Sequence, residues 1–286
     1  MSKTLTIRYT SDTHGYLYPT SYADMQDRPM GLMKLASEYP HDGNTLIIDG
    51  GDTIQGSPLT NLYQRLSPEE KAACLTEDTY GTHPIAAMMN LAGYQFVTLG
   101  NHDFNYGVDA LLDYLTNLDA LCLCANIRDK EGRLPIAPYA VHQLENGLRV
   151  GLVGVCTHFV RRWENPKTVE QLIIEEPVPA AKAALEAVKP LCDLTVLIYH
   201  GGFECDLETG KPLTASAENQ ACRMCRELDF DLVLTGHQHM RVDGVHLGNS
   251  FAVQPAYRAP HCCGVTVTVE DDGSKRFESR IRSEEH

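Results

Sequence analysis

Five short segments of the 286-residue chain carry side chains able to bind a metal ion: Asp12-Thr13-His14, Gly51-Asp52, Gly100-Asn101-His102-Asp103, His200-Gly201-Gly202 and Gly236-His237-Gln238-His239. They offer carboxylate oxygens, an amide oxygen and imidazole nitrogens, a donor mixture suited to manganese, iron or zinc. Asp12 and His14 stand two residues apart, so both can reach one ion from a turning loop. Gly50 and Gly51 permit a sharp turn before Asp52. A carboxylate at such a turn can bridge two cations about 3.5–4 Å apart. Asn101 adds a neutral oxygen, and His200, His237 and His239 add imidazoles. These seven residues, with Asp52 counted twice, make eight ligand bonds, four per ion. That is the arithmetic of a two-metal hydrolase.

Each segment follows an apolar run rich in β-branched or aromatic residues, at 5–10, 46–49, 94–99, 195–199 and 231–235. In an open α/β sheet ligands bind beyond the carboxyl ends of the strands, so five strand-end clusters can converge on one point. Helix-like stretches alternate with these runs at 31–39, 83–91, 108–117, 178–189 and 218–228, which predicts an α/β fold with a parallel or mixed sheet. Thr82 is the expected N-cap of the second helix, with Pro84 in its first turn. Residues 64–81 are polar and read as an excursion over the active face. Beyond Gly244 short strands are expected at 245–247, 251–254, 264–269 and 276–281, the last two joined by a hairpin at Asp271-Asp272-Gly273. With no repeat and no interior linker, residues 1–286 read as one domain.

The formal net charge of −14 counts against a partner that is a nucleic-acid polymer, because such proteins usually carry a basic face. A small phosphate ester remains compatible, since two divalent cations invert the local field. No run approaches the 18 apolar residues of a membrane span, so no membrane partner is expected. The first expected strand starts close behind Met1, leaving no room for a signal peptide, and the ten cysteines are scattered. Together these predict a cytoplasmic protein with reduced cysteines. Cys222 and Cys225 read as helix packing, and Cys122, Cys124, Cys262 and Cys263 as small buried hydrophobes. Asp49 reads as support for the site rather than a ligand, His83 as a helix-start residue, and Trp163 as ordinary packing in preference to a cleft rim.

The set Ser11-Asp12-Thr13-His14-Gly15, Gly51-Asp52-Thr53, Gly100-Asn101-His102-Asp103, His200-Gly201-Gly202 and Gly236-His237-Gln238-His239 resembles the calcineurin-like metallophosphoesterase superfamily. Gly51-Asp52-Thr53-Ile54-Gln55-Gly56-Ser57-Pro58 and Ala217-Glu218-Asn219 resemble its 5′-nucleotidase and 2′,3′-cyclic-nucleotide phosphodiesterase branch. The resemblance implies a four-layer α/β/β/α sandwich with mixed sheets and a site for two divalent ions, manganese favoured over iron or zinc. By that likeness Asp12, His14 and His239 hold one ion with Asp52, while Asn101, His200 and His237 hold the other, again with Asp52. His102 then stabilises the transition state or donates a proton, while hydroxide bridging the ions attacks phosphorus in line.

Two departures refine the expectation. Asn105 stands where 5′-nucleotidases usually carry an Asp that orients the catalytic His, which tilts the substrate toward 2′,3′-cyclic nucleotides. Relatives in this branch also carry a C-terminal nucleotide-binding domain, which is expected to be absent from residues 1–286. Two alternatives stand beside a nucleotide phosphoesterase: a nuclease or other phosphodiesterase of the same superfamily, and a non-catalytic metal-bound scaffold for a partner protein.

Overall fold

The computed structural model describes residues 2–74, 83–260 and 262–282. Its strands are β1 (Lys3–Thr10), β2 (Thr45–Asp49), β3 (Phe96–Val97), β4 (Leu121–Leu123), β5 (Ile127–Asp129), β6 (Ile136–Ala137), β7 (Tyr139–Gln143), β8 (Arg149–Cys156), β9 (Leu172–Ile174), β10 (Leu194–His200), β11 (Leu232–Thr235), β12 (Arg241–Leu247), β13 (Ser250–Pro255), β14 (Cys262–Val269) and β15 (Lys275–Arg282). Seven of them form one sheet in the order β15-β14-β1-β2-β3-β4-β6, and six form a second in the order β12-β13-β11-β10-β8-β7. The first runs parallel from β1 to β6 with β14 and β15 antiparallel at one edge. The second runs parallel through β8, β10, β11 and β13, and antiparallel at both edges. A small antiparallel pair, β5 and β9, stands apart.

Side-chain alternation along the strands builds the layers. Leu5, Ile7, Leu46 and Ile48 of the first sheet meet Leu152, Val196, Ile198, Leu234 and Val253 of the second in a core between the sheets. The intervening Ile47 and Val97 face outward and are covered by α1 (Leu32–Ala36), α4 (Pro84–Leu91) and α5 (Val108–Thr116). Val153, Leu197 and Val233 face the opposite side, beneath α8 (Pro177–Val188) and α9 (Ala221–Glu227). The result is a four-layer α/β/β/α arrangement with mixed sheets. Burial on both faces also explains why β2 and β10 read as unbroken apolar runs. The two sheets come close together where β8 passes β4. A Cβ on Gly154 would lie 1.9 Å from the Leu123 carbonyl oxygen, so that position accepts only glycine.

Several boundaries differ from the sequence reading. The helix expected at 218–228 begins at Ala221, because Glu218 and Asn219 are drawn into the loop before it. The polar stretch at 64–81 contributes the end of α2 (Pro58–Arg65) and α3 (Pro68–Cys74), and residues 75–81 lie outside the described residues. So does Thr82; the observed N-cap of α4 is His83, whose Nδ1 accepts the Ile85 N–H at 3.3 Å. The cysteines are not all reduced. Cys205 and Cys222 form a disulfide that ties the loop after β10 to the start of α9, so Cys222 is a cross-link rather than helix packing. No helix among the described residues is long and apolar enough to cross a membrane.

Candidate metal centre

All seven residues expected to bind metal lie at or just beyond the carboxyl ends of β1, β2, β3, β10 and β11. Five of them sit at positive φ: Asp12 at 56°, His14 at 50°, Asp52 at 57°, His237 at 72° and His239 at 59°. This left-handed region costs a non-glycine residue on the order of 1 kcal/mol or more, and such strain clusters at functional sites. Backbone bonds across the loops hold it. Asp12 N–H donates to the Gly51 carbonyl at 2.9 Å, His14 N–H to the Asp52 carbonyl at 2.8 Å, and His237 N–H to the Asp12 carboxylate at 3.0 Å.

The donor atoms gather in two groups. Those of Asp12, His14 and His239 lie within 4.8 Å of one another, as do those of Asp52, His200 and His237. Each of three imidazoles has its outer nitrogen taken. His14 Nδ1 donates to the Gln55 carbonyl at 2.9 Å and His200 Nδ1 to the Gly50 carbonyl at 2.7 Å. His237 Nε2 meets Glu218 Oε1 at 2.8 Å. Carbonyl oxygens only accept, so His14 and His200 keep their Nε2 lone pairs for the centre. An imidazole anchored this way is oriented as a metal ligand.

The residues fit a cation. His200 Nε2 and Asn101 Oδ1 are buried with no hydrogen-bond partner, and that His200 nitrogen lies 3.2 Å from Asp52 Oδ2. Two acceptors facing each other demand positive charge. Burial opposes charge on both groups. Their mutual attraction nevertheless holds the Asp52 carboxyl well below the usual range and pushes His200 up to about 10. The pair is built around a positive charge, and a divalent ion can supply it in place of a proton.

Two carboxylates shape the Asp52 turn from behind. Asp103 accepts N–H bonds from Asp52 at 2.9 Å, Thr53 at 2.7 Å, Ile54 at 3.0 Å and Gly100 at 2.8 Å. Asp49 accepts from Thr10 Oγ1 at 2.7 Å, Thr53 Oγ1 at 2.6 Å and Gly51 N–H at 3.0 Å, a supporting contact set with no place among the metal-facing donors. Burial pushes the Asp49 carboxyl up to about 7, against those hydrogen bonds. Gly51 and Gly100 let the two loops touch. A Cβ on Gly51 would lie 2.3 Å from Gly100 N, and one on Gly100 would lie 2.1 Å from Asp52 Oδ1.

His102 opens a single 3₁₀ turn, His102–Phe104, and its N–H donates to Asp52 Oδ1 at 2.7 Å. Its Nδ1 bonds to Asn105 Oδ1 at 2.8 Å, and Asn105 Nδ2 donates in turn to Glu164 Oε1. Two exposed aromatics flank the centre. Trp163 stacks on His237 with ring centres 5.5 Å apart, and Tyr257 stacks on His239 at 4.4 Å. Trp163 therefore rims the site instead of filling the core.

The sequence profile of the calcineurin-like phosphoesterase family matches residues 5–241. The chain belongs to the calcineurin-like phosphoesterase family. Among similar members, the trifunctional nucleotide phosphoesterase protein YfkN of Bacillus subtilis is 28% identical over 250 residues. That alignment covers 82% of this chain and 16% of YfkN. A 2′,3′-cyclic-nucleotide 2′-phosphodiesterase/3′-nucleotidase of Salmonella typhimurium is 26% identical, over 87% of this chain and 38% of that protein. This chain thus spans well under half the length of either relative. A crystal structure of the calcineurin-like phosphoesterase YfkN from Bacillus subtilis superposes with a TM-score of 0.81 at 25% identity. It covers 99% of this chain and 91% of that one.

Three residues around this calcineurin-like phosphoesterase site escape sequence reasoning: Asp103 as a backbone clamp, Glu218 on His237, and Glu164 on Asn105. Asp103 and Glu218 both lie inside motifs already singled out, so position was a signal, though role was not. Glu164 gives no local signal. It lies 59 residues from its partner.

Proposed function

We propose that this chain is the metal-dependent catalytic unit of a nucleotide phosphoesterase, hydrolysing 2′,3′-cyclic nucleotides or nucleoside monophosphates. The observation that carries the reading is the pair of inward-facing donor groups, with His200 Nε2 and Asn101 Oδ1 buried and unpaired. Asp12, His14 and His239 would hold one divalent ion, and Asn101, His200 and His237 the other, with Asp52 shared. Two such ions, manganese favoured, would supply positive charge to phosphate oxygens and would lower the pKa of a bound water toward neutrality. Asp52 has one oxygen near His200 and the other on the His102 N–H, which holds its carboxylate at the centre. With Nδ1 committed to Asn105, His102 has Nε2 to offer a phosphate oxygen or the departing ribose oxygen. The names of the relatives support the substrate class, and the absence of a charged Asp at position 105 favours the cyclic diester.

The test is a hydrolysis panel with the purified chain and added manganese: bis(p-nitrophenyl) phosphate, 2′,3′-cyclic AMP, 3′-AMP, 5′-AMP and a sugar phosphate. Turnover of the nucleotide esters is expected. It should fall by roughly two orders of magnitude or more in Asp52→Asn, as when a charge-stabilising group is removed from an active site. A wild-type chain that binds two ions per molecule yet hydrolyses none of these esters would overturn the assignment and favour the partner-binding scaffold.

A further inference from the structure

Asn105 is held from two sides. Its Oδ1 accepts from His102 Nδ1 at 2.8 Å, and its Nδ2 donates to Glu164 Oε1. Glu164 is the residue that ends α6 (Val160–Trp163), where its N–H bonds to the Val160 carbonyl at 3.0 Å, and only 9% of its surface is exposed. The same short segment presents Trp163 to His237. One turn therefore touches the site at two places, and its carboxylate reaches the amide of Asn105. A carboxylate on one end of an amide makes the other end a stronger acceptor, since hydrogen bonds in series polarise one another.

We propose that Glu164 is the positioning residue of His102, acting through the Asn105 amide. It keeps Nδ1–H of the imidazole turned inward and supplies, one residue removed, the negative charge that an aspartate at position 105 would supply directly. The proposal rests on the phosphoesterase reading for its kinetic consequence, and on the hydrogen-bond chain alone for its structural one. Burial raises the Glu164 carboxyl above the ordinary range, while the Asn105 and Asn165 N–H groups oppose that rise.

The experiment separates charge from packing. Glu164→Gln keeps an acceptor for Asn105 and removes the charge; Glu164→Ala removes both. With the manganese-loaded chain, Glu164→Gln is expected to lower kcat about tenfold, the usual scale for a residue behind an active-site histidine. KM should change less than about twofold, two metal ions should be retained, and the loss should be largest for esters with poor leaving groups. In an Asn105→Asp background the sign should reverse. There the second carboxylate repels the first, so adding Glu164→Gln restores activity. An equal loss in both backgrounds makes Glu164 a packing residue and overturns the proposal. A second readout needs no turnover: ¹⁵N NMR of histidine-labelled, zinc-loaded protein, with the His102 signals assigned by their loss in His102→Ala. The Nδ1–H signature of His102 should be present in the wild type and shifted or lost in Glu164→Ala. An unchanged signature overturns the proposal even if the enzyme is active. A changed signature in a protein that hydrolyses nothing keeps the positioning role and removes the phosphoesterase reading. Should Glu164→Ala fail to fold, Glu164→Gln carries the same readout: loss of the charge alone must shift the Nδ1–H signature of His102, and an unchanged signature overturns the proposal.

Discussion

The Asp103 carboxylate collects four backbone N–H groups, three from the Asp52 loop and one from Gly100. Burial and the nearby Asp52 charge both push its carboxyl upward, and the N–H groups of Gly100, Ile54 and Thr53 oppose them. An asparagine would turn an amide N–H toward donors that need an acceptor. Asp103→Asn should therefore cost about 2 kcal/mol or more in urea unfolding of the metal-free chain, with an unchanged m-value, since two buried N–H groups lose their partner. Weaker metal retention should accompany it, because the turn presenting Asp52 at φ 57° loses its brace. A variant within about 0.5 kcal/mol of wild type would show that the turn holds itself. Asp103 was visible in the sequence as the end of the Asn101-His102 motif, where it was given no task of its own. Only the loop-to-loop distance gave it one.

At the level of elements, the loop between β10 and α9 does the most for the site per residue. Asn219 Oδ1 accepts the Gly202 N–H at 2.7 Å, Glu218 reaches His237, and Glu204 accepts the N–H groups of Cys222 and Arg223 at the start of α9. The disulfide closes this excursion at a sequence separation of 17. Chain-entropy arguments put such a closure at about 3 kcal/mol. Treatment with a reductant, or the Cys205→Ser/Cys222→Ser pair, should lower Tm measurably and weaken metal binding through the slackened Glu218–His237 contact. Intact mass after thiol labelling, finding both cysteines modified in the untreated protein, would remove the cross-link. β8 is the instructive omission among the elements. Residues 149–156 form a central strand that sequence reading passed over, although 150–156 are apolar apart from glycine and are buried on both faces. Its two glycines weaken the strand signal, and Gly154 is there because β4 leaves no room for a side chain.

For the whole molecule, folding places the donor ends of five strands from two sheets on one rim, so acidic and imidazole groups crowd into a buried volume of a chain already at −14. A cation bound only by the folded state must stabilise it by mass action, about 2.7 kcal/mol at a concentration a hundredfold above the dissociation constant. Dialysis against a chelator should lower Tm, and returning manganese or zinc should restore it. Asp52→Asn should blunt the response, since both donor groups depend on that residue's turn. A melting curve indifferent to chelation and to added metal would show that the rim folds without needing ions.

The sequence by itself determined the donor types, their placement after apolar runs, and the α/β alternation, because strand periodicity and strand-end position are local properties written over five to ten residues. It also carried the family resemblance, since those motifs are contiguous. The grouping of His14 with His239 across 225 residues came from the resemblance and from no local pattern, and the tertiary structure is what brings the two imidazoles to 3.1 Å. The tertiary structure alone placed Glu218 behind His237 and Glu164, through Asn105, behind His102, and joined Cys205 to Cys222. Those pairings depend on how two twisted sheets stack and where their crossover loops land. No local periodicity encodes that, because burial and distance are properties of the assembled core rather than of any segment within it.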